Sequence, residues 1–311
     1  VMSLTRREVL TAGAALGAGS LPLMAQSTAP DANVVLRIAH LTDTHVQPGN
    51  RSSAGTAAAM QAARRFRPNL YMFSGDLIND ALGSTKQSAL DQFAAFKAVV
   101  TANAGNIPVR YCIGNHDVWG WNNIAQYQND PDFGKRIALN QLGLAAPYYF
   151  FDQNGWRIIV LDGTHRKPSG GGYTARLDDI QFNWLSATLA ATPATTHVLV
   201  VSHMPILGVS PYFDGNNETS GNWVVPGAWM HIDARRIKDL FKTRPQVKAC
   251  LSGHIHLVDE AQYLGVKYFC NGAVSGGWWN GNYQEFGPGF AIVDLYADGS
   301  VRNNFVSYKI P

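Results

Sequence analysis

Short apolar runs and amphipathic stretches alternate along this chain. Val34 to Leu41, Leu70 to Ser74, Val109 to Ile113, His197 to Ser202 and Val247 to Ser252 are runs of strand length. Helical spacing lies between them. Ser53 to Phe66 is Ala-rich, and Ser84 to Ala102 carries Leu90, Phe93, Phe96 and Val99-Val100 on one face. Strand, helix, strand, helix, strand is the order of a largely parallel sheet, so the fold class expected is α/β. Asn122 to Leu144 reads as helical with a break near Pro131. Tyr148 to Phe151 and Trp156 to Leu161 flank Asn154-Gly155, a favoured hairpin turn.

Leu177 opens a further helix with Asp178 and Asp179 in its first turn, where the helix dipole favours acids. Met204 to Trp229 is a long Gly- and Pro-punctuated loop, a length usually kept for function. Ile232 to Lys242 is expected to be helical. Gln262 to Leu264, Val266 to Phe269, Phe290 to Tyr296 and Val301 to Ser307 read as strands, the last two joined through Asp298-Gly299. No internal repeat or linker appears, and residues 32–311 read as one domain.

The first 30 residues break this pattern. Thr5-Arg6-Arg7-Glu8 is followed by a Gly/Ala-rich stretch without charge up to Asp31, and a small residue stands at Ala25. A charged start, an uncharged middle and a small residue at the end fit a removable export signal over residues 1–25. The Arg pair is similar to the twin-arginine type. The expected partner is therefore the twin-arginine export machinery, and the expected location is periplasmic or secreted. Prolines and abundant Gly argue against a stable membrane span.

Composition adds little. Hydrophobic residues make up 46% and charged residues 15%, as in ordinary globular chains, and the net charge of +3 is mild. Arg64-Arg65 and Arg235-Arg236 sit on expected helix faces, so no nucleic-acid-binding stripe is indicated. The three cysteines, Cys112, Cys250 and Cys270, fall in expected strands and read as buried free thiols.

The chemistry lies at the ends of the strands. The first runs into Asp43-Thr44-His45, the second into Gly75-Asp76 and the third into Gly114-Asn115-His116-Asp117. The later two run into His203 and into Gly253-His254-Ile255-His256. The carboxyl ends of strands in an open α/β sheet line one crevice, so these groups are expected to converge. Carboxylate, amide and imidazole without thiolate suit Mn, Fe or Zn.

In this order the motifs resemble the calcineurin-like metallophosphoesterase superfamily over residues 43 to 256. The resemblance implies two packed mixed sheets flanked by helices, a four-layer αββα sandwich. It implies two metal ions, one held by Asp43, His45, Asp76 and His256, the other by Asp76, Asn115, His203 and His254. Asp76 is then shared, which calls for a carboxylate with its two anionic oxygens. The implied activity is hydrolysis of phosphodiesters (cyclic nucleotides among them) or phosphomonoesters of small molecules by a metal-bridging hydroxide, with His116 as the non-ligating catalytic histidine. Asp117 either orients His116 or caps the turn.

Where relatives often carry an aspartate this chain has Asn79, followed by Asp80, which leaves the tuning of His116 open. The absence of tyrosine at 79 argues against the coloured site of purple acid phosphatases. Alternatives at this point are a purple acid phosphatase-like monoesterase, a non-catalytic metal-binding module on the same fold, and a zinc amidohydrolase. The last would place its His-x-His after the first strand, not the last. His40, His165, His197 and His231 read as structural. Trp223, Trp229, Trp278 and Trp279 serve either loop packing or stacking on a flat leaving group.

Overall fold

The computed structural model describes residues 33–49 and 51–311, so the expected export signal lies outside the described residues. The first sheet contains β1 (Val34–Leu41), β2 (Leu70–Ser74) and β3 (Val109–Cys112), all parallel. Between them run α1 (Ser52–Arg64) and α2 (Lys86–Ala104), the latter capped by the Thr85 side chain, which accepts from the backbone N–H of Ser88.

Asn122 to Leu144 is helical on both sides of Pro131, as expected, but the interruption is wide. The segment holds α3 (Ile124–Tyr127) and α4 (Arg136–Leu142), because Pro131 and Gly134, at φ +83°, fold the chain back to pair Gly134 with Trp119. The hairpin of β4 (Tyr149–Gln153) and β5 (Trp156–Val160) turns at Asn154-Gly155, both with positive φ, as expected.

A small hairpin of β6 (Thr164–Arg166) and β7 (Tyr173–Ala175) follows, which no periodicity announced. Then come α5 (Asp179–Ala191), β8 (His197–Val201), α6 (Ala234–Lys242) and β9 (Val247–Ser252). β10 (Val258–Tyr263) is longer than expected, and Leu264 belongs to its turn, at φ +51°. β11 (Val266–Asn271), β12 (Gly289–Tyr296) and β13 (Val301–Ser307) complete the chain.

Two sheets result, ordered β13-β12-β1-β2-β3 and β10-β11-β9-β8-β5-β4. Alternate residues of each strand choose the layer. Leu36, Ile38, Leu70 and Met72 face Ile158, Leu199, Ala249 and Leu251 between the sheets. The opposite faces carry Tyr71 and Phe73 against Phe93 and Phe96 of α2, and Val198, Val200 and Cys250 against Leu185 of α5 and Phe241 of α6. Helix, sheet, sheet, helix is the four-layer arrangement expected. All three cysteines are buried and free. The carboxyl ends of β1, β2 and β3 in one sheet and of β8 and β9 in the other lead directly into the polar motifs.

Candidate metal centre

Each ligand candidate follows a parallel strand by two to four residues, where the backbone leaves the sheet. Five of the seven, Asp43, His45, Asp76, His254 and His256, take positive φ. Left-handed backbone is costly for non-glycine residues and persists where surrounding structure enforces it, typically at functional sites. Enforcement here is close contact. A Cβ on Gly253 would lie 2.0 Å from Thr42 Oγ1 and 2.3 Å from Asp43 Oδ2. A Cβ on Gly114 would lie 2.2 Å from Asp76 Oδ1. Glycine lets the three loops meet.

The loops bring the seven side chains into two groups. Asp43, His45 and His256 form one and Asp76, His203 and His254 the other, the ligand atoms of each lying within 4.8 Å of one another. Asn115 joins the second group, its Oδ1 3.2 Å from His203 Nε2. His254 and His256 therefore serve different groups, as expected for a pair already turning out of its strand.

Hydrogen bonds to the backbone fix which imidazole nitrogen faces inward. His203 donates from Nδ1 to the carbonyl of Ser74 at 2.8 Å, and His256 from Nδ1 to the carbonyl of Gly276 at 2.6 Å, so both present Nε2. His254 donates from Nε2 to Ala228 O at 2.9 Å and presents Nδ1. Such outer partners are what set the tautomer of a ligand histidine. Asp43 uses Oδ2 to accept from Thr42 Oγ1 and from the His254 backbone N–H, leaving Oδ1 to the site.

The inward atoms lack partners of their own. Asp43 Oδ1 and His254 Nδ1 are buried without a hydrogen bond, and His45 Nε2 stands 3.2 Å from His256 Nε2. Burial pushes the imidazoles of His45 and His254 down to about 3, so both are neutral. Burial also opposes a charge on His203, yet Asp76 and Asp43 lift it to about 9. Acceptors facing lone pairs in a buried pocket call for cations, and the donor set of carboxylate, imidazole and amide fits two of them.

One expectation changes. Asp76 was expected to share itself through two oxygens, but Oδ1 accepts from the backbone N–H of His116 at 2.8 Å. Oδ2 lies 3.2 Å from His203 Nε2 and 4.0 Å from His45 Nε2.

His116 stands beside the two groups, its ring 5.1 Å from that of His45. Its Nδ1 meets Asp80 Oδ1 at 3.0 Å, so the carboxylate that Asn79 lacks comes from the next residue. Asp117 does not touch the ring. It accepts from the backbone N–H groups of Gly114, Leu77 and Ile78 and caps the turn.

Tyr173 escaped the sequence reading, while His40 is structural as expected. The Tyr173 ring lies 6.0 Å from that of His254, and burial with the charges of Asp76, Asp43 and Asp80 raises its pKa, keeping the hydroxyl protonated. His40, beneath the site, bonds through Nε2 to Ser74 Oγ at 2.6 Å and so stiffens the strand end that orients His203. His231 and His197 bond to Asp233 and Ala297 away from the two groups. The tryptophans divide. Trp229 packs with Ile255 and Leu257, and Trp279 is buried. Trp223 contacts Tyr212 and Phe213, whereas Trp278 stacks on His256.

Known proteins share this plan. A dimetal phosphatase from Danio rerio superposes with a TM-score of 0.61 at 14% identity, covering 85% of this chain and 93% of that one. A 3',5'-cyclic-nucleotide phosphodiesterase of Nostoc sp. (strain PCC 7120) is 23% identical over 295 residues, 89% of this chain and 94% of the relative. A Moraxella catarrhalis protein named "Probable cyclic nucleotide phosphodiesterase" is 25% identical over 242 residues, 73% of each chain. The calcineurin-like phosphoesterase family matches residues 36–258, which takes in every strand-end motif. A match of that extent assigns the chain: it belongs to the calcineurin-like phosphoesterase family and is a metal-dependent phosphoric ester hydrolase that works with two ions.

Proposed function

We propose that this hydrolase cleaves phosphodiesters of small molecules, cyclic nucleotides among them, in preference to monoesters. The names of the Nostoc and Moraxella relatives support the diester preference. In this reading Asp43, His45, Asp76 and His256 hold one ion, and Asp76, Asn115, His203 and His254 hold the other. The observation that carries the shared ligand is Asp76 Oδ2, 3.2 Å from His203 Nε2 in its own group and 4.0 Å from His45 Nε2 in the other. When bound, the ions supply positive charge for the phosphate oxygens and make water more acidic.

The chain's own residues do the rest. His116 is the acid that protonates the leaving oxygen. Asp80, on its Nδ1, fixes the ring so that Nε2 is free to deliver the proton. The Tyr173 hydroxyl, on a ring 6.0 Å from that of His254, is a neutral donor for a phosphate oxygen. Buried walls around Asp43 and His45 keep water scarce, which strengthens each of these interactions.

The test is a turnover panel of mono- and diesters on metal-analysed protein. His116→Ala is expected to keep both ions and lose about 10²–10⁴-fold in kcat, the usual contribution of a general acid. Asp76→Ala is expected to lose both ions. Normal turnover by His116→Ala would remove the acid assignment, and a panel favouring monoesters would reverse the diester preference.

Residues 32–311 act in this proposal as one catalytic domain. Residues 1–25 act as a twin-arginine-type export signal that delivers the enzyme to the periplasm or beyond. The Arg6-Arg7 pair followed by an uncharged stretch supports this. Replacing both arginines with lysine is expected to strand the protein in the cytoplasm on cell fractionation, and unchanged export would dismiss the signal.

A further inference from the structure

Two adjacent tryptophans, Trp278 and Trp279, both have left-handed backbone, at φ +50° and +68°. For residues of that size this conformation is strongly disfavoured, and it persists only if neighbouring contacts compensate. Trp279 supplies the compensation. It is buried, its Nε1 donates to the carbonyls of Thr44 at 3.0 Å and His45 at 3.3 Å, and its ring occupies the space above Gly55. Trp279 is therefore an anchor that also holds the Asp43–His45 loop.

Trp278 is not buried in this way. It is 40% exposed, although the strained backbone could have been avoided had burial been its only use. What the conformation achieves is placement. The indole stacks on the His256 ring at 4.3 Å and 27°, and stands 5.4 Å from the His45 ring. Tyr283 meets it edge-on at 5.7 Å and 78°, and the Tyr283 hydroxyl donates to Asp214 Oδ1 at 2.6 Å. That bond ties this loop to the long loop following His203. His256 covers part of the indole, and the side chain keeps 40% of its surface exposed beside two of the ligand-candidate histidines.

We infer that Trp278 is a specificity-determining platform on which a planar organic group of the bound ester stacks, so that the preferred substrates carry a nucleobase or aryl ring. This rests on the proposed use of the two groups to hold the phosphate. An ester whose phosphate sits there has its organic part within reach of a rigid indole plane. Flat π-systems gain from such a plane in a way that puckered rings do not.

The test measures binding of three phosphonates, which phosphoester hydrolysis leaves intact, to metal-loaded protein by calorimetry: methyl-, cyclohexyl- and phenylphosphonate. Wild type is expected to bind phenyl- over cyclohexylphosphonate by about two- to twelve-fold, the range of an aromatic pair beyond simple burial. Trp278→Ala should erase that preference while leaving methylphosphonate affinity and metal content unchanged, and Trp278→Phe should keep part of it. If Trp278→Ala sheds metal, the phenyl-to-cyclohexyl ratio in wild type and in Trp278→Phe decides. Equal affinity for the two rings in wild type, or a preference surviving in Trp278→Ala, overturns the platform. Ring preference without turnover of any ester would instead sink the hydrolytic reading and leave the platform standing.

Discussion

His116 Nδ1 lies 3.0 Å from Asp80 Oδ1, a contact that favours the charged imidazole. Burial opposes protonation of His116, but the Asp76 charge and the Asp80 hydrogen bond outweigh it and lift the ring to about 9. A raised folded pKa means that the contact stabilises the fold fully below pH ~6.5 and loses that effect as pH rises through about 9. Ions bound to Asp76 would cancel its share, leaving Asp80 as the main support. Asp80→Asn is therefore expected to lower the His116 pKa in an NMR titration of metal-free protein. In loaded enzyme the alkaline limb of kcat/KM should move to lower pH. An unmoved limb would show that Asp80 does not tune the acid.

Tyr173 brings a phenol ring next to His254 from a hairpin outside both sheets. Its hydroxyl makes no hydrogen bond among the described residues. Tyr173→Phe removes a donor to a charged phosphate oxygen, an interaction worth about 1.5–3 kcal/mol. We expect kcat/KM to fall by about ten-fold or more, with melting temperature and metal content unchanged. Steady-state kinetics with metal analysis checks this, and an unchanged kcat/KM would dismiss the contact.

Gly253 has no space for a side chain. Gly253→Ala would drive a methyl against Thr42 Oγ1 and Asp43 Oδ2. Separating the loops after β9 and β1 is expected to cost about 1–3 kcal/mol of stability and to weaken metal retention in the group containing Asp43. Thermal melting and metal analysis report the two effects separately. A variant that melts normally with both ions bound would show that the approach of these loops is not needed.

Away from the site, Arg37 and Asp294 form a buried pair across β1 and β12, with Nε–Oδ1 at 2.5 Å and Nη2–Oδ2 at 3.0 Å. Burial opposes ionisation of Asp294, but bonds from Arg37 and Arg302 hold its pKa below the usual carboxylate value. Its contribution to stability is thus present above the ordinary pKa near 3.8 and lost as pH falls through the depressed value. Asp294→Ala leaves the Arg37 charge buried and should destabilise the fold by about 3–5 kcal/mol. Urea unfolding at neutral pH measures this. The difference between variant and wild type should shrink in acid, and a constant difference would contradict the pairing.

Much of the site was legible because each metal-ligand candidate ends an apolar run. Asp43, Asp76, Asn115, His203 and His254 follow strands whose burial is plain from composition, and polar groups there have few structural uses. Layering was legible for a similar reason, since alternate residues such as Tyr71 and Met72 are apolar on both faces. Tyr173 was not legible. It sits on a three-residue strand after a Gly-rich stretch, too short to show a period, and only the fold of that hairpin brings it to His254. Asp80 was noticed only as the neighbour of Asn79, because the direction of its side chain depends on a loop bonded to Gln92. The break expected near Pro131 is present but wider than foreseen, because Gly134 pairs with Trp119, a long-range contact that local pattern does not encode. The bond from the His116 backbone N–H to Asp76 Oδ1 has no signature in side-chain order.

Anomalous diffraction from crystals grown with Mn(II) tests the central claim most directly. The account predicts two peaks of comparable height, one within bonding distance of Asp43, His45 and His256, the other of Asp76, His203 and His254, with Asp76 Oδ2 touching both. A single peak, or peaks that leave Asp76 Oδ2 untouched, would contradict it.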